Sequence, residues 1–487
     1  MVKLSDLLFG VSIKSVIGDI TSVMVEKIEF DSRKVSDSDL FIAIKGVNVD
    51  GHSFIDLSVK NGAKSVIVEE IPEKINEEIC YVQVDCSSFS MSVVSSNYYD
   101  NPSSKIKIVG VTGTNGKTTI VTLLHQLFSD LGYPTGMLST IENKIGTKSV
   151  KSTHTTGDSL QINKLLSEMV LAGCEYCFME VSSHAIHQNR ISSLIFEGGV
   201  FTNITHEHLD YHKDFKEYIS VKKRFFNTLK NSAFALTNKD DKNGNIMISN
   251  TKAKKITYSL KSMADYKCKV IESRLDGMLL NIQNHEIWVK IIGEFNAYNL
   301  LAIYSTSVEL GLDKDQLLER ISVLNPAEGR FHTIRNSENI TGIVDYMHTP
   351  DAYENVLSTI NSIRKNTEKL IMVFGCGGNR DAEKRPKMTA IACNMSDQVI
   401  ITADNPRTEK IEEIISDMTA QLDPVQKKKV LVITDRSQAI KTACTLASEG
   451  DIVLLAGKGH EKYQEIEGVK HYFDDVEELV ESLNINQ

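Results

Sequence analysis

The chain has 487 residues, 41% of them hydrophobic, and a formal charge of −10 at pH 7. That length suggests about three domains, and the acidic balance argues against nucleic acid or an anionic membrane as a partner. No apolar run approaches the ~18 residues of a membrane span, and residues 1–6 carry no cleavage pattern, so a cytoplasmic location is expected. The eight cysteines stand scattered in apolar surroundings, as buried thiols do. Cys174 and Cys177 form the only C-x-x-C; without a second pair it points to packing rather than zinc or redox chemistry.

Residues 1–103 read as a small α/β unit, with apolar runs at 40–44, 65–68 and 80–84 and a helical stretch at 54–61. Asp31-Ser32-Arg33 and Lys45-Gly46-Val47-Asn48-Val49-Asp50-Gly51 are polar turns, either plain surface or a ligand contact. Asn101-Pro102-Ser103-Ser104 reads as a linker.

Residues 104–328 form a second unit. An apolar strand at 105–111 leads into Gly110-Val-Thr-Gly-Thr-Asn-Gly-Lys-Thr-Thr119, and Ile120, Leu123, Leu124, Leu127 and Phe128 make 118–131 an amphipathic helix. Strand, glycine-rich turn and helix in that order suit a phosphate. Gly113 and Gly116 let backbone N–H groups converge on an anion, and the helix N-terminus adds partial positive charge. Lys117 can reach the β/γ-phosphates, and the Thr118 hydroxyl suits Mg²⁺. Strict Walker spacing asks for glycine at 111, where Val111 stands; the strand-turn-helix context still favours a triphosphate loop over an ordinary turn.

His154-Thr-Thr-Gly157 is a polar turn before a helix at 159–172. A strand at 176–179 ends in Glu180-Val-Ser-Ser-His184, where a carboxylate beside a phosphate loop can hold Mg²⁺ or simply meet solvent. Another strand, at 199–204, runs into Thr205-His-Glu-His-Leu-Asp-Tyr-His212. Its histidines suggest a metal, but the zincin pattern needs histidine at 210, where Asp210 stands, so a zinc hydrolase is disfavoured. The helix at 215–229 carries Lys222-Lys-Arg224, by itself a solvated face. Gly293-Glu-Phe-Asn-Ala-Tyr-Asn-Leu-Leu-Ala302 precedes a helix of about three turns, and its Asn296 and Asn299, three apart, either read a base or cap the helix.

Residues 329–487 alternate apolar strands (343–346, 370–374, 398–402, 430–434, 452–456) with helices (351–363, 408–422, 437–448). That alternation predicts a doubly wound, mostly parallel sheet with ligands at the strand C-terminal ends. The polar residues stand at those ends: Asp345-Tyr-Met-His348, Gly375-Cys-Gly-Gly-Asn-Arg380, Asp404-Asn-Pro-Arg407 and Gly457-Lys-Gly-His-Glu461. Arg380 occupies the last glycine position of a dinucleotide fingerprint, which argues against a nicotinamide site.

Taken in this order, the motifs resemble the Mur ligase family of peptidoglycan synthesis over nearly the whole chain. Thr112-Gly-Thr-Asn-Gly-Lys-Thr-Thr119 is similar to its ATP loop, and Glu180-Val-Ser-Ser-His184, Asn203, His208-Leu-Asp-Tyr-His212, Asn296, Gly329-Arg-Phe331 and Asp345-Tyr-Met-His-Thr-Pro-Asp351 to its other landmarks. Within the family the chain resembles the branch that adds the third amino acid to UDP-N-acetylmuramoyl-L-alanyl-D-glutamate. Asp404-Asn-Pro-Arg407 resembles the signature of members choosing meso-diaminopimelate; the same ligase adding L-lysine, or a folylpolyglutamate-type ligase, is the alternative. The implied fold is α/β in three domains: a UDP-substrate domain, a central P-loop ATP domain and a C-terminal Rossmann-like amino-acid domain.

Residue by residue, the resemblance implies that Gly113, Thr114, Asn115, Gly116, Lys117, Thr118 and Thr119 cradle ATP, with Asn296, Arg330 and Asp345 near the adenosine. Thr118, Glu180, His208 and a carbamylated Lys222 would hold Mg²⁺, the carbamate deriving from CO₂, and Lys117, Lys222 and His208 would be catalytic. The UDP-substrate would meet Phe30, Ser32, Val47, Asn48, Val49, His154, Thr155, Thr156, Ser182, Gln188 and Arg190. Arg380, Asp404, Asn405, Pro406, Arg407, Gly457 and Glu461 would surround diaminopimelate. His154 and Met347 stand where relatives often have asparagine and alanine. A monomer is expected, with no nucleic-acid or membrane partner.

Overall fold

Three large β-sheets follow one another along the chain in the computed structural model, which describes residues 1–46, 49–152, 154–205 and 211–484. In the first sheet the strands lie in the order Ile13–Ile17, Cys80–Val84, Ser65–Val68, Leu40–Ile42, Ile28–Glu29, and only the first pair is antiparallel. Leu40, Ile42, Ile67 and Val82 pack on one face, Phe41, Val66, Val68 and Tyr81 on the other. Being buried on both faces is why these strands read as unbroken apolar runs rather than alternating ones.

The second sheet has eleven strands. From Thr135–Leu138 it runs parallel through Tyr176–Glu180, Lys107–Thr112, Gly198–Phe201, Phe234–Asn238 and Lys254–Ser259 to Tyr266–Arg274, with antiparallel strands closing each edge. Register pairs Glu180 with Val111 and Phe201 with Thr112. The carboxylate, the phosphate loop and Thr202-Asn203 therefore leave the sheet side by side.

The third sheet orders its strands His332–Arg335, Thr341–Asp345, Ile452–Ala456, Leu370–Phe374, Gln398–Ile401 and Val430–Val432, and only the first pair is antiparallel. Asp345, Ala456, Phe374 and Ile401 end in register, so Gly457, Gly375 and Thr402 emerge at one edge. The strands expected at 370–374 and 452–456 form over those residues. No helix among the described residues is long and apolar enough to cross a membrane.

Three local expectations change. Residues 101–104 are no loose linker: Pro102–Ser104 is a 3₁₀ turn with Pro102 and Ser103 buried, and Ser103 Oγ accepts the Ile195 amide at 3.2 Å. The helix expected after residue 302 begins at Glu294 and runs Glu294–Glu309, putting Asn296 and Asn299 inside it. A glutamate in its first turn suits that early start. The helix expected from 408 begins only at Ile411. Arg407 N donates to Glu465 O at 3.0 Å and Arg407 O accepts the Glu467 amide at 2.6 Å, which ties Arg407, at φ +53, beside the hairpin Tyr463–Ile466/Val469–Tyr472. Pro406 therefore does not start the helix.

Candidate active site

The phosphate loop is braced from the neighbouring strand end. Asn203 accepts the Thr114 amide through its backbone oxygen and the Asn115 amide through Oδ1, each at 2.9 Å, and Thr202 Oγ1 donates to Asn115 O at 2.6 Å. Gly116 has φ +87, and a Cβ there would lie 2.5 Å from Asn299 Oδ1; only glycine permits both. The helix Lys117–Asp130 then starts with its first amides aimed at the loop's mouth. Lys117 Nζ donates to Gly113 O (3.0 Å) and Thr114 O (2.7 Å), which keeps the ammonium folded over the loop. Val111 lies fully buried in the strand, which continues to Thr112, so a strand residue stands where the Walker pattern has its first glycine.

Glu180 is 1% exposed and accepts Thr140 N at 2.8 Å and Thr140 Oγ1 at 3.1 Å. Each carboxylate oxygen keeps a lone pair free. A carboxylate that leaves the sheet beside the phosphate loop and the Thr118 hydroxyl at the loop's helix start are both oxygen donors of the kind that fits Mg²⁺. Among the described residues no group of three His, Cys, Asp or Glu converges on a metal. His208, with His206 and Asp210, lies outside the described residues. Lys222 departs from its solvated-face expectation: it is 1% exposed, its Nζ donates to Gly113 O at 3.0 Å and lies 4.8 Å from the Tyr218 ring centroid. The amphipathic helix Phe215–Asn227 turns this one lysine inward while Arg224 stays outside.

Four of the expected UDP-substrate residues come together. Thr156 Oγ1 donates to Glu180 O (2.8 Å) and accepts the Ser182 amide (3.1 Å). Arg190 Nη1 donates to Thr156 O at 2.7 Å, while its Nε and Nη2 donate to Gln188 Oε1 at 3.0 and 2.6 Å. His154 and Thr155 precede them on the same turn, more exposed. Phe30 and Ser32 stand on the first sheet's Asp31 turn, and Val49 is exposed beyond it. Val47 and Asn48 lie outside the described residues.

The second and third sheets face each other across the loop. Asn115 Nδ2 donates to Asp351 Oδ2 at 2.8 Å and Arg330 Nη2 to Thr118 Oγ1 at 3.4 Å. Arg330 lies 4.7 Å from the Tyr346 ring centroid, and its buried Nε has no hydrogen-bond partner among the described residues, so the guanidinium has a donor to spare for an anion. Asp345 accepts the Phe331 amide at 2.7 Å and the Met347 amide at 2.8 Å; burial pushes its carboxyl up despite nearby Arg330. Next to the loop opens a cavity of about 590 Å³, walled by Asn203, Asp240, Tyr298 and Asn299 on one side and Asp351 and Asn355 on the other. Asn296 is not in its wall: Asn296 Nδ2 donates to Ile292 O and its Oδ1 accepts from Asn299, which does line the cavity; the helix start carries no side-chain cap.

At the edge of the third sheet, Arg407 and Arg380 both approach Gly377. Arg407 Nη1 donates to Gly378 O at 2.7 Å, and Nε lies 3.6 Å from Glu465. Asn405 Nδ2 donates to Glu461 Oε2 at 2.8 Å, and burial raises the Glu461 carboxyl. Gly457 packs against Asp404. Two residues absent from the expected set support this edge. Lys458 is fully buried, 3.4 Å from Asp404. Arg436 is ion-paired with Asp475 at 2.6 Å, both at 0% side-chain exposure, and Nη2 donates to Ala456 O at 3.1 Å, just before Gly457. Lys458 was legible as the residue between two motif glycines; Arg436 had no local signal, because its partner lies far along the chain.

The family profiles described as "Mur ligase family, catalytic domain", "Mur ligase middle domain" and "Mur ligase, glutamate ligase domain" match residues 25–107, 111–306 and 329–459. A Cytophaga hutchinsonii protein named UDP-N-acetylmuramoyl-L-alanyl-D-glutamate–2,6-diaminopimelate ligase is 54% identical over 99% of each chain. The chain belongs to the Mur ligase family. A Bacteroides fragilis ligase of the same name is 48% identical to this Mur ligase, again over 99% of each chain. A solved structure described by that name is 34% identical, covers 99% of both chains and superposes with a TM-score of 0.71.

Proposed function

We propose that this Mur ligase uses ATP to join meso-2,6-diaminopimelate to UDP-N-acetylmuramoyl-L-alanyl-D-glutamate, releasing ADP and phosphate. The observation that carries it is the third-sheet edge, where Arg407 and Arg380 flank Gly377 opposite Asp404 and Glu461. An amino acid with ammonium and carboxylate groups at both ends asks for both signs of charge at a strand-end crevice. The names of relatives similar over the full length support the same reading.

The chemistry follows from the residue types. A free carboxylate does not acylate an amine, because its oxygen is a poor leaving group. Transfer of the γ-phosphoryl group to the substrate carboxylate yields an acyl phosphate and ADP. The amine then attacks the carbonyl carbon, the tetrahedral adduct expels phosphate, and the nitrogen loses its proton. Lys117 and the loop amides balance phosphate charge during the transfer, and Arg330 offers its spare donor nearby. Thr118, Glu180 and a carbamate on Lys222 would hold Mg²⁺, which would supply further charge neutralisation when bound. Ammonium repels such a cation and a carbamate attracts it, which is the reason for assigning the modified form. Thr156, Ser182, Gln188 and Arg190 would orient the UDP-substrate, with Phe30, Ser32 and Val49 toward the uridine. With this reading go a cytoplasmic location, where ATP and nucleotide-linked substrates are made, and a monomer, because one chain supplies every candidate residue.

The test is phosphate release from ATP with the UDP-dipeptide, comparing diaminopimelate with lysine; equal turnover of lysine would remove the specificity claim. Arg407→Ala should weaken diaminopimelate use by roughly ten- to a hundredfold, the worth of hydrogen bonds to a charged group. Steady-state kinetics should show the gap to lysine narrowing and the KM for ATP unchanged.

Residues 1–103, 104–328 and 329–487 are assigned as three working units. ATP and the amino acid meet different units, so the third should close on the second during the reaction. Small-angle scattering should record a smaller radius of gyration with an ATP analogue and UDP-substrate than without; an unchanged radius argues against closure.

A further inference from the structure

We propose that Lys458 is a positioning residue for amino-acid selectivity: from beneath the Asp404-Asn-Pro-Arg407 loop it holds Asp404 and Asn405 in the arrangement that the amino acid meets. The inference rests on the amino-acid-site reading above.

Lys458 follows the strand Ile452–Ala456 and lies between Gly457 (φ +109) and Gly459 (φ +52). Two positive-φ residues curl the chain there, and the lysine side chain is completely buried rather than open to the crevice. Its Nζ meets three oxygens: Tyr463 O at 2.6 Å, Asn405 Oδ1 at 3.2 Å and Asp404 Oδ1 at 3.4 Å. An ammonium has three donors. Two are spent in hydrogen bonds to Tyr463 O and Asn405 Oδ1, and the charge pairs with Asp404; with the side chain fully buried, Lys458 acts on the substrate only through the loop.

Asn405 is the coupling piece. Its Oδ1 accepts from Lys458 and from the Glu465 amide at 2.9 Å, while its Nδ2 donates to Glu461. Two donors on the oxygen side and a carboxylate on the nitrogen side leave one orientation of the amide. Arg407, two residues on, is held by backbone hydrogen bonds to Glu465 and Glu467. Removing Lys458 would release Asp404 from its nearest cation and Asn405 from one of its two donors, and the 404–407 loop would lose its register against residues 461–467.

Lys458→Met keeps the apolar stem and removes the donors. The KM for diaminopimelate should rise about ten- to a hundredfold, with kcat at saturating diaminopimelate and the KM values for ATP and UDP-substrate unchanged. The preference over lysine should shrink. Lys458→Gln, which keeps an amide donor, should show a smaller rise and serves if the methionine variant does not fold; Asn405→Ala should reproduce the rise by removing the acceptor. A residue needed only for folding would lower kcat through loss of active protein and leave every KM alone. That result, or an unchanged diaminopimelate KM in the folded variants, overturns the proposal. Arg407→Ala is measured alongside: if it raises the diaminopimelate KM and the Lys458 variants do not, only the Lys458 assignment falls. If Arg407→Ala has no effect either, the amino-acid-site reading itself has failed, and this inference with it.

Discussion

Lys117→Ala should fold as the parent does and lose ligation by about a hundred- to a thousandfold, the usual effect of deleting one preorganised charge-stabilising donor. The lysine follows Gly116 at the start of the helix Lys117–Asp130, and its Nζ donates to the loop oxygens Gly113 O and Thr114 O. The loop's own shape is held by Asn203 and Thr202, so truncating Lys117 removes charge without removing the cradle. Circular dichroism should be unchanged while ATP-dependent phosphate release collapses. Phosphate release near the parental rate would remove Lys117 from the reaction.

Lys222→Ala should cost at least about a hundredfold in activity, and short carboxylates such as acetate or formate should restore part of it. The side chain is buried beside Gly113, so alanine leaves a space open toward the phosphate loop. If a carbamate on this lysine supplies oxygen ligands, a small free carboxylate can substitute for it in the same space. A lysine that served only to brace Gly113 O would not be rescued by an anion. Mass measurement of the intact parent in bicarbonate, with and without acid treatment, checks the carbamate separately. Loss of activity with no rescue at any carboxylate concentration would count against the modified form.

Much of this protein was readable from local chemistry. Strands covered on both faces are apolar at nearly every position, so Ser65–Val68, Cys80–Val84, Leu370–Phe374 and Ile452–Ala456 announced themselves with their bounds. The phosphate loop was legible because anion binding there needs glycines, a lysine and a helix start within a few consecutive residues. Tertiary structure decided what depended on distant partners. Lys222 sits in a charged triplet that looks solvated, and only the packing of its helix beside Gly113 buries it. Pro406 suggested a helix start, but Glu465 and Glu467, some sixty residues on, capture the Arg407 backbone and hold it at φ +53, outside the right-handed helical region. The Asn101–Ser104 stretch has linker composition, yet Ser103 Oγ accepts an amide from residue 195. Arg436 finds Asp475 on the neighbouring helix of the same sheet face, and Lys458 meets Asp404 and Asn405 from a strand end two places along the sheet. Local sequence determines which backbone states and charges are available; which of them meet is decided by sheet order and register, because those set the neighbours of each strand end.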